Sequence, residues 1–152
     1  MKKMNSVVAV MLLSLLVFSC KKPGCTDPIA TNYDIKAKSD NINCTYEGQV
    51  GFWYNEAAGK KLKALGGDSL KFFMYENYID SSKVIYVDSL SVIDFLDEAP
   101  ECGASDVATY TSAFGKSDFR FVQYRIFNEL DLLLYDSIVK LTADECLMIQ
   151  LR

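Results

Sequence analysis

Histidine is absent from this chain of 152 residues, and its absence removes several classes of catalytic site. Without an imidazole side chain, the protein cannot form a Ser-His or Cys-His nucleophile pair, and it lacks the commonest zinc ligand. The sequence also contains no Gly-x-Ser-x-Gly elbow, no phosphate-binding glycine loop and no dinucleotide-binding fingerprint. We therefore expect a protein that is not an enzyme.

An excess of basic residues is also missing. The chain has 16 lysines and arginines against 20 aspartates and glutamates, which is a formal net charge of −4, and its lysines are scattered. Because affinity for nucleic acid depends largely on neutralisation of phosphates, this composition argues against a nucleic-acid partner.

The first twenty residues have a layout unlike the rest of the chain. Two lysines precede an apolar run at residues 7–18, and Ser19 and Cys20 follow it. This is the layout of a secretory signal peptide. The run of 12 residues is too short to span a bilayer, which takes about 20. We predict a signal peptide helix over residues 1–19.

The end of this segment, Val17-Phe18-Ser19-Cys20, resembles the lipobox of bacterial lipoproteins. In that family the cysteine thiol is acylated, for example with palmitate, and the chain is cut before the cysteine. The resemblance implies lipid attachment at Cys20, with residues 20–24 as a short tether. Lys21 replaces the aspartate that commonly retains such proteins at the inner membrane. The resemblance therefore favours a lipid anchor in the bacterial outer membrane, facing the periplasm or the cell surface.

Assigning Cys20 to the lipid leaves an even set of cysteines in a compartment that permits disulfides: Cys25, Cys44, Cys102 and Cys146. Four cysteines allow three pairings. We favour Cys25 with Cys44, because they bracket a short polar segment, and Cys102 with Cys146, because they flank the strand-rich C-terminal half. The alternative is four reduced, buried thiols in a cytoplasmic protein, which would make the signal-like segment accidental.

Residues 25–46 are rich in turn-forming residues and poor in large aliphatic ones, so this segment needs a disulfide to form a compact module. Its residues resemble the cysteine-bracketed repeat GCTDPxAxNYxxxAxxDDGSC of exported proteins of the Bacteroidota. The matching residues are Gly24-Cys25-Thr26-Asp27-Pro28, Ala30, Asn32-Tyr33-Asp34, Ala37, Asp40-Asn41 and Cys44. The chain departs from the repeat at Asn41-Ile42-Asn43, where the family has Asp-Gly-Ser.

Four side chains of this module, Asp27, Asn32, Asp34 and Asp40, carry the oxygen atoms that calcium prefers, and a disulfide would gather them. Their spacing does not follow an EF-hand loop. The competing interpretation, which we favour, is that these side chains form Asx-turns and cap backbone groups. Calcium is the only cofactor that the sequence suggests.

Residues 48–152 have aromatic and β-branched runs separated by polar turns, which predicts a mainly β domain. We predict a small β-sandwich, Ig-like or transthyretin-like, in preference to the alternative of a partly open barrel. The candidate strands are residues 49–54, 69–75, 83–88, 91–95, 107–113, 119–127, 132–140 and 145–151.

Two segments of this domain also fit a helix. Residues 129–141 match an amphipathic helical stripe, but Tyr135, Ile138 and Val139 favour a pleated surface, so we predict a strand there. Residues 56–65 have helix-favouring composition interrupted by Gly59, and we predict a short helix.

Three patches of the C-terminal half resemble small β-sandwich domains of Bacteroidota lipoproteins. They are Pro100-Glu101-Cys102-Gly103-Ala104-Ser105, Val107-Ala108-Thr109-Tyr110-Thr111 and Val139-Lys140-Leu141-Thr142-Ala143-Asp144-Glu145-Cys146-Leu147. In those domains a CGASGC-type turn follows a proline, and the last strand carries a cysteine. Asp106 stands where some members have a second cysteine, so the resemblance implies one bridge, to Cys146. Such domains mostly lack an assigned activity.

Two clusters are candidates for a functional surface. The first cluster is acidic and consists of Asp97, Glu98 and Glu101, which could provide paired carboxylates for glycoside hydrolysis. Charged side chains in a loop are usually only solvated, and we favour this second interpretation. Trp53, Tyr54 and Tyr75 lie in strands whose successive rings point to opposite faces, so they are candidates for an aromatic binding surface. The competing interpretation, again favoured, places Trp53 in the core and the tyrosines at its rim.

Three Asp-Ser-aliphatic triplets resemble the acceptor for O-glycans in Bacteroidota envelope proteins, which makes Ser69, Ser89 and Ser137 candidate glycan sites. The alternative is that Asp-Ser marks an ordinary turn before a strand.

The sequence thus predicts a lipid-anchored envelope protein that is a non-enzymatic binding or structural module for a protein or glycan partner. The alternative function is an accessory polysaccharide hydrolase, or an enzyme inhibitor, acting through the acidic loop.

Overall fold

The computed structural model describes residues 22–40, 44–76, 84–115 and 117–152. The predicted signal peptide, Cys20 and the Asn41-Ile42-Asn43 departure lie outside these ranges. The strands of the described part are β1 (Pro23–Gly24), β2 (Ser39–Asp40), β3 (Thr45–Tyr54), β4 (Ser69–Tyr75), β5 (Val84–Ser91), β6 (Ala108–Gly115), β7 (Phe119–Asn128), β8 (Leu133–Thr142) and β9 (Cys146–Leu151), and its helix is α1 (Glu56–Ala64).

The larger strands form two sheets. One is antiparallel, with strand order β5-β4-β7-β8. The other has the order β6-β3-β9, in which β3 pairs antiparallel with β6 and parallel with β9. The short strands β1 and β2 pair with each other in parallel. A mainly β protein with a small sandwich is therefore confirmed, while the choice between an Ig-like and a transthyretin-like topology stays a prediction.

The core lies between the two sheets and is rich in aromatic side chains. Phe52 of β3 is fully buried, and its ring centroid lies 5.4 Å from that of Phe72 in β4 and 4.9 Å from that of Tyr124 in β7. Inward residues alternate with outward ones along β6 and β7, as the pleat of a strand requires.

Most predicted strands are confirmed with ends shifted by a few residues, and residues 129–141 contain β8 rather than a helix. The separate strand predicted at residues 91–95 is wrong, because β5 continues to Ser91 and the chain then turns. Asp94 causes this turn: its N–H donates to the Ser91 carbonyl, and its carboxylate accepts from the Ser91 N–H.

The predicted short helix is confirmed as α1. Asn55 caps it by accepting a hydrogen bond from the Ala58 N–H at 3.0 Å. Glu56 in the first turn and lysines in the last turn complement the helix dipole. Gly59 in the middle has a packing reason, because a Cβ atom there would lie 2.7 Å from the carbonyl oxygen of Val92.

Both preferred disulfide pairings are confirmed. Cys25 bonds to Cys44 across 19 positions and closes the N-terminal module. Cys102 bonds to Cys146 across 44 positions and ties the connection between β5 and β6 to the first residue of β9. Each bridge closes a loop whose freedom would otherwise stabilise the unfolded chain.

The connection between β5 and β6 also packs on the outer face of the three-stranded sheet. A Cβ atom on Gly51 would lie 3.1 Å from a methyl group of Val107 and 2.6 Å from the sulfur of Met148. Farther along, the Leu96 N–H donates to the Tyr54 carbonyl at 3.0 Å. The end of β3 is therefore covered on its outer face as well as on its inner face.

We expect Gly59→Ala to lower the free energy of unfolding by about 1–3 kcal/mol, because the added methyl group meets the Val92 carbonyl. Helix propensity alone predicts the opposite change, a gain of about 1 kcal/mol. Gly115→Ala is the matched control, since the nearest atom to its Cβ position is 3.9 Å away. Urea denaturation measures both variants. A Gly59→Ala protein as stable as the wild type would contradict the close approach.

Candidate functional site

The oxygen atoms suggested as calcium ligands are engaged within the N-terminal module. Asp27 accepts hydrogen bonds from the Ile29 N–H at 3.1 Å and from the Tyr46 hydroxyl at 2.8 Å. Asn32 accepts from the Thr45 N–H at 2.9 Å. These bonds tie the module to the start of β3.

Asp34 has a similar role. It accepts from the Lys36 N–H at 2.9 Å and forms an ion pair with Lys22, and the hydrogen bond from Lys22 is the main cause that lowers the pKa of Asp34. Asx-turns are thus confirmed at Asp27 and Asp34. Within the described ranges, no group of three or more acidic or cysteine side chains is placed to hold a metal ion. The side chain of Asp40 lies outside the described part. The other three candidate ligands, Asp27, Asn32 and Asp34, give the calcium interpretation no support.

The candidate aromatic binding surface is not exposed: its three residues are buried, which agrees with the favoured interpretation. Trp53 is 8% exposed, Tyr54 1% and Tyr75 7%. Tyr54 points into the core, its hydroxyl donates to the Ser91 carbonyl, and burial raises its pKa. Trp53 lies at the covered end of β3. Tyr75 faces outward from β4, but the guanidinium of Arg125 lies 4.9 Å above its ring.

The predicted acidic cluster lies in the connection between β5 and β6. Asp97, Glu98 and Glu101 are all exposed there. The clefts described below do not include them, so their position matches the solvated-loop interpretation.

The three candidate glycan serines lie in strands of the four-stranded sheet. Ser69 begins β4, whereas Ser89 and Ser137 are exposed within β5 and β8. The turn explanation is therefore wrong for Ser89 and Ser137, which are paired with Lys71 and Tyr124. O-glycosylation of these serines stays a prediction.

A polar network joins the two sheets and is the most chemically varied cluster in the described part. The Tyr110 hydroxyl donates to the Glu76 carboxylate at 2.8 Å, and Arg120 lies 3.6 Å from the same oxygen. Arg120 also donates to the hydroxyl of fully buried Ser112 at 3.4 Å. Ser112 is thus held between a guanidinium and a phenol. Neither of these groups is a general base that would activate a nucleophile.

On the outer side of the four-stranded sheet lies what we call the aromatic face, formed by Phe73, Tyr75, Val84, Tyr86 and Phe127. Phe73 of β4 contacts Tyr86 of β5 and Phe127 of β7, with ring centroids 5.5 Å and 5.6 Å apart. Tyr86 is 55% exposed and Val84 48% exposed. These residues lie on the outer side of the four-stranded sheet, since the alternate residues Phe72 and Ile126 are buried in the core.

A shallow cleft of about 310 Å³ opens on the aromatic face. Its walls are Phe73, Tyr75, Val84 and Phe127, and the carboxylate of Asp131 lies at its edge. Lys71 donates to Asp131 at 2.7 Å. The cleft therefore has an apolar floor with a charged pair at its border.

A second charged pair borders the same face. Arg125, which covers Tyr75, donates to Asp136 at 3.0 Å, and Gln123 donates to the other oxygen of Asp136 at 2.6 Å. Two exposed aliphatic residues of β8 lie farther out, with Ile138 opposite Gln123 and Leu133 opposite Phe127.

The outer face of the three-stranded sheet is different. There Gln49 and Thr111 point outward, and the Gln49 amide donates to the Thr111 hydroxyl at 3.1 Å. Antiparallel sheets commonly keep one polar face in water. On the four-stranded sheet, by contrast, exposed Tyr86 and partly buried Phe73 and Phe127 lie on the outer face.

Another cleft, of about 250 Å³, lies where the N-terminal module meets the sandwich. It is lined by Ile29, Thr31, Glu47, Gln49, Asp144, Glu145 and Cys146. It has no aromatic wall, so its chemistry differs from that of the aromatic face.

Sequence reasoning identified Tyr75 but missed Phe73, Tyr86 and Phe127 as one surface. The available signal was an adjacent pair of apolar residues in each strand, Phe72-Phe73 in β4 and Ile126-Phe127 in β7, which places an apolar side chain on both faces. Only the strand register shows that these rings meet, because they come from three different strands.

We expect stability to fall in alkali because of Tyr110. Burial, together with the hydrogen bond to Glu76, raises the pKa of Tyr110 to about 12. The pKa of tyrosine in the unfolded chain is about 10. The raised pKa of Tyr110 therefore stabilises the folded protein fully below that pH, and this contribution is lost as the pH rises toward 12. Thermal melts followed by circular dichroism should show Tm falling across this interval.

Tyr110→Phe removes the ionisable hydroxyl and should make the alkaline fall in Tm shallower. Tyr33→Phe, at an exposed tyrosine, is the control and should keep the wild-type slope. If all three proteins gave parallel curves, the proton on Tyr110 would not contribute to stability.

Comparison with known proteins assigns neither a family nor a function to this chain. Within the described ranges, no helix has the length and apolar character needed to cross a membrane. Searches of protein-family models, of curated proteins and of solved structures found no match to this chain.

Proposed function

We propose that this protein is a lipid-anchored envelope protein whose β-sandwich is a non-enzymatic binding module for a protein or glycan partner. The observation that carries the proposal is the aromatic face. Exposed Tyr86 and partly buried Phe73 and Phe127 lie together on a sheet face that would ordinarily be polar.

The proposed anchor rests on the lipobox-like sequence that ends in Cys20. Only Lys21 and Lys22 lie between the proposed anchor and β1. Lys22, the first residue that the structure describes, is ion-paired with Asp34 inside the module. In this proposal the module is a compact spacer between the lipid and the sandwich.

The non-enzymatic part of the proposal is supported by the partly buried polar network that joins the sheets in the described part of the chain. Its hydroxyl groups, on Tyr110 and Ser112, face Glu76 and Arg120 and have structural partners. The exposed carboxylates of Asp97, Glu98 and Glu101 do not line the aromatic cleft. No specific observation favours the hydrolase or inhibitor alternative.

Lipid attachment is tested with Cys20→Ser, which removes the thiol that would be acylated. We expect the wild-type protein to incorporate a fatty-acid analogue in cells and to partition into detergent, and the variant to lose both properties. Ser19→Ala is the matched control, because it keeps a small residue before the cysteine. Labelling of Cys20→Ser at the wild-type level would contradict the anchor.

Binding through the aromatic face is tested with Tyr86→Ala on the full chain. The immobilised protein is exposed to detergent-solubilised envelope, and bound proteins and glycans are quantified. We expect at least one ligand to be captured by the wild type and by Tyr33→Ala, but about tenfold less by Tyr86→Ala, because hot-spot aromatic residues carry most of the binding free energy. Capture that does not depend on Tyr86 would contradict this site.

A further inference from the structure

We propose that the ligand of the aromatic face is a neutral oligosaccharide. This inference rests on the proposed binding function and adds the chemical class of the ligand. Three features carry it: the row of rings, the two ion pairs that border the aromatic face in the described part of the chain, and the small size of the cleft.

The row of rings offers apolar contacts at regular intervals. Tyr86, Phe73 and Phe127 follow one another across three adjacent strands, with centroid steps of 5.5 Å and 5.6 Å. The face of an aromatic ring carries partial negative charge, and it attracts the weakly positive C–H groups of a sugar ring. Phe73 is inclined at 64° to Tyr86 and at 85° to Phe127, so sugar rings would contact these aromatic rings one at a time and not as a flat platform.

The charged side chains that border the aromatic face form ion pairs with one another. Lys71 pairs with Asp131 at 2.7 Å, and Arg125 pairs with Asp136 at 3.0 Å. An ionic ligand would have to compete with one of these pairs, whereas a neutral ligand leaves both intact. The site is therefore complementary to a ligand without net charge.

The same border supplies hydrogen-bonding groups of both kinds. Gln123 and Arg125 present N–H donors beside the carboxylate acceptor of Asp136. A sugar hydroxyl is both donor and acceptor, so it can bond to either kind of group. Ring stacking combined with such hydrogen bonds is the recognition that a polyhydroxylated ligand requires.

The size of the cleft favours an oligosaccharide over a folded protein. Its volume of about 310 Å³ is at the lower end for small-ligand pockets, which run from about 300 to 1,000 Å³. A stable protein interface needs about 800 Å² from each partner and is depleted of charge at its centre. Here Arg125 is paired with Phe73 across the sheet, and Asp136 follows on the next strand, paired with Arg125.

The site is also rigid before binding. Phe73 lies on β4, which is paired on both sides, and Arg125 is held by Asp136 and by the ring of Tyr75. Side chains already fixed in the free protein lose less entropy when a ligand binds.

The test uses the full chain in detergent and an array of neutral oligosaccharides: cello-, xylo-, manno- and malto-oligosaccharides, with sulfated oligosaccharides as charged probes. Hits are quantified by isothermal titration calorimetry. We expect the wild type to bind at least one neutral series. Tyr86→Ala and Asp136→Asn should each weaken that binding at least tenfold, since one removes a ring and the other removes a charged acceptor.

Tyr33→Ala controls for the loss of an exposed tyrosine elsewhere and should bind like the wild type. Tyr86 is mostly exposed, so Tyr86→Ala should fold, and its circular dichroism spectrum checks this. Neutral-glycan binding that survives both substitutions would overturn the site, as would binding to sulfated probes alone.

The test separates this inference from the proposed function. A protein ligand captured in a Tyr86-dependent manner, with no oligosaccharide bound, would overturn the oligosaccharide and leave the binding function standing. Absence of any ligand that depends on Tyr86 would overturn both.

Discussion

Aromatic packing around Phe52 holds the two sheets together, and the outer surfaces follow from it. The ring of Phe52 is fully buried against Phe72 and Tyr124 of the opposite sheet. Because successive side chains of a strand point to opposite faces, placing Phe72 inward places Phe73 outward. The same alternation that builds the core thus assembles the aromatic face on the far side of β4 and β7. Core and candidate site are two faces of the same strands.

The two outer faces of the sandwich differ in what covers them and in their polarity. At the end of β3, the connection between β5 and β6 packs over Gly51, and the bridge from Cys102 to Cys146 fixes that connection to β9. The remaining outer surface of this sheet is polar. On the four-stranded sheet, the aromatic row stays partly open, and ion pairs border it. The N-terminal module is joined to the start of β3 by the Asp27–Tyr46 and Asn32–Thr45 hydrogen bonds, away from the covered end of that strand.

Local sequence was a good guide wherever local chemistry decides the structure. Tyr135, Ile138 and Val139 favoured a strand over a helix, and β8 is a strand because those side chains suit a pleated surface. The Asx-turns of Asp27 and Asp34 were predictable for a similar reason, since each carboxylate bonds to an N–H only two residues away. The extra strand at residues 91–95 was wrong because the side chain and N–H of Asp94 stabilise a turn that apolar composition does not reveal. The favoured burial of Trp53 agrees with the structure, but Tyr54 lies in the core and not at its rim, because burial depends on neighbours from distant parts of the chain.

The sequence by itself determined the mainly β class, the positions of strands β3 to β9, the short helix and the preferred disulfide pairing. Each of these follows from side-chain periodicity, from turn-forming residues or from the spacing of cysteines. Only the tertiary structure decided which rings are exposed and which meet. Phe73, Tyr86 and Phe127 are separated by tens of residues along the chain, and pairing of β4 with both β5 and β7 brings them together. Register and burial are properties of the whole sheet, so no single segment specifies them.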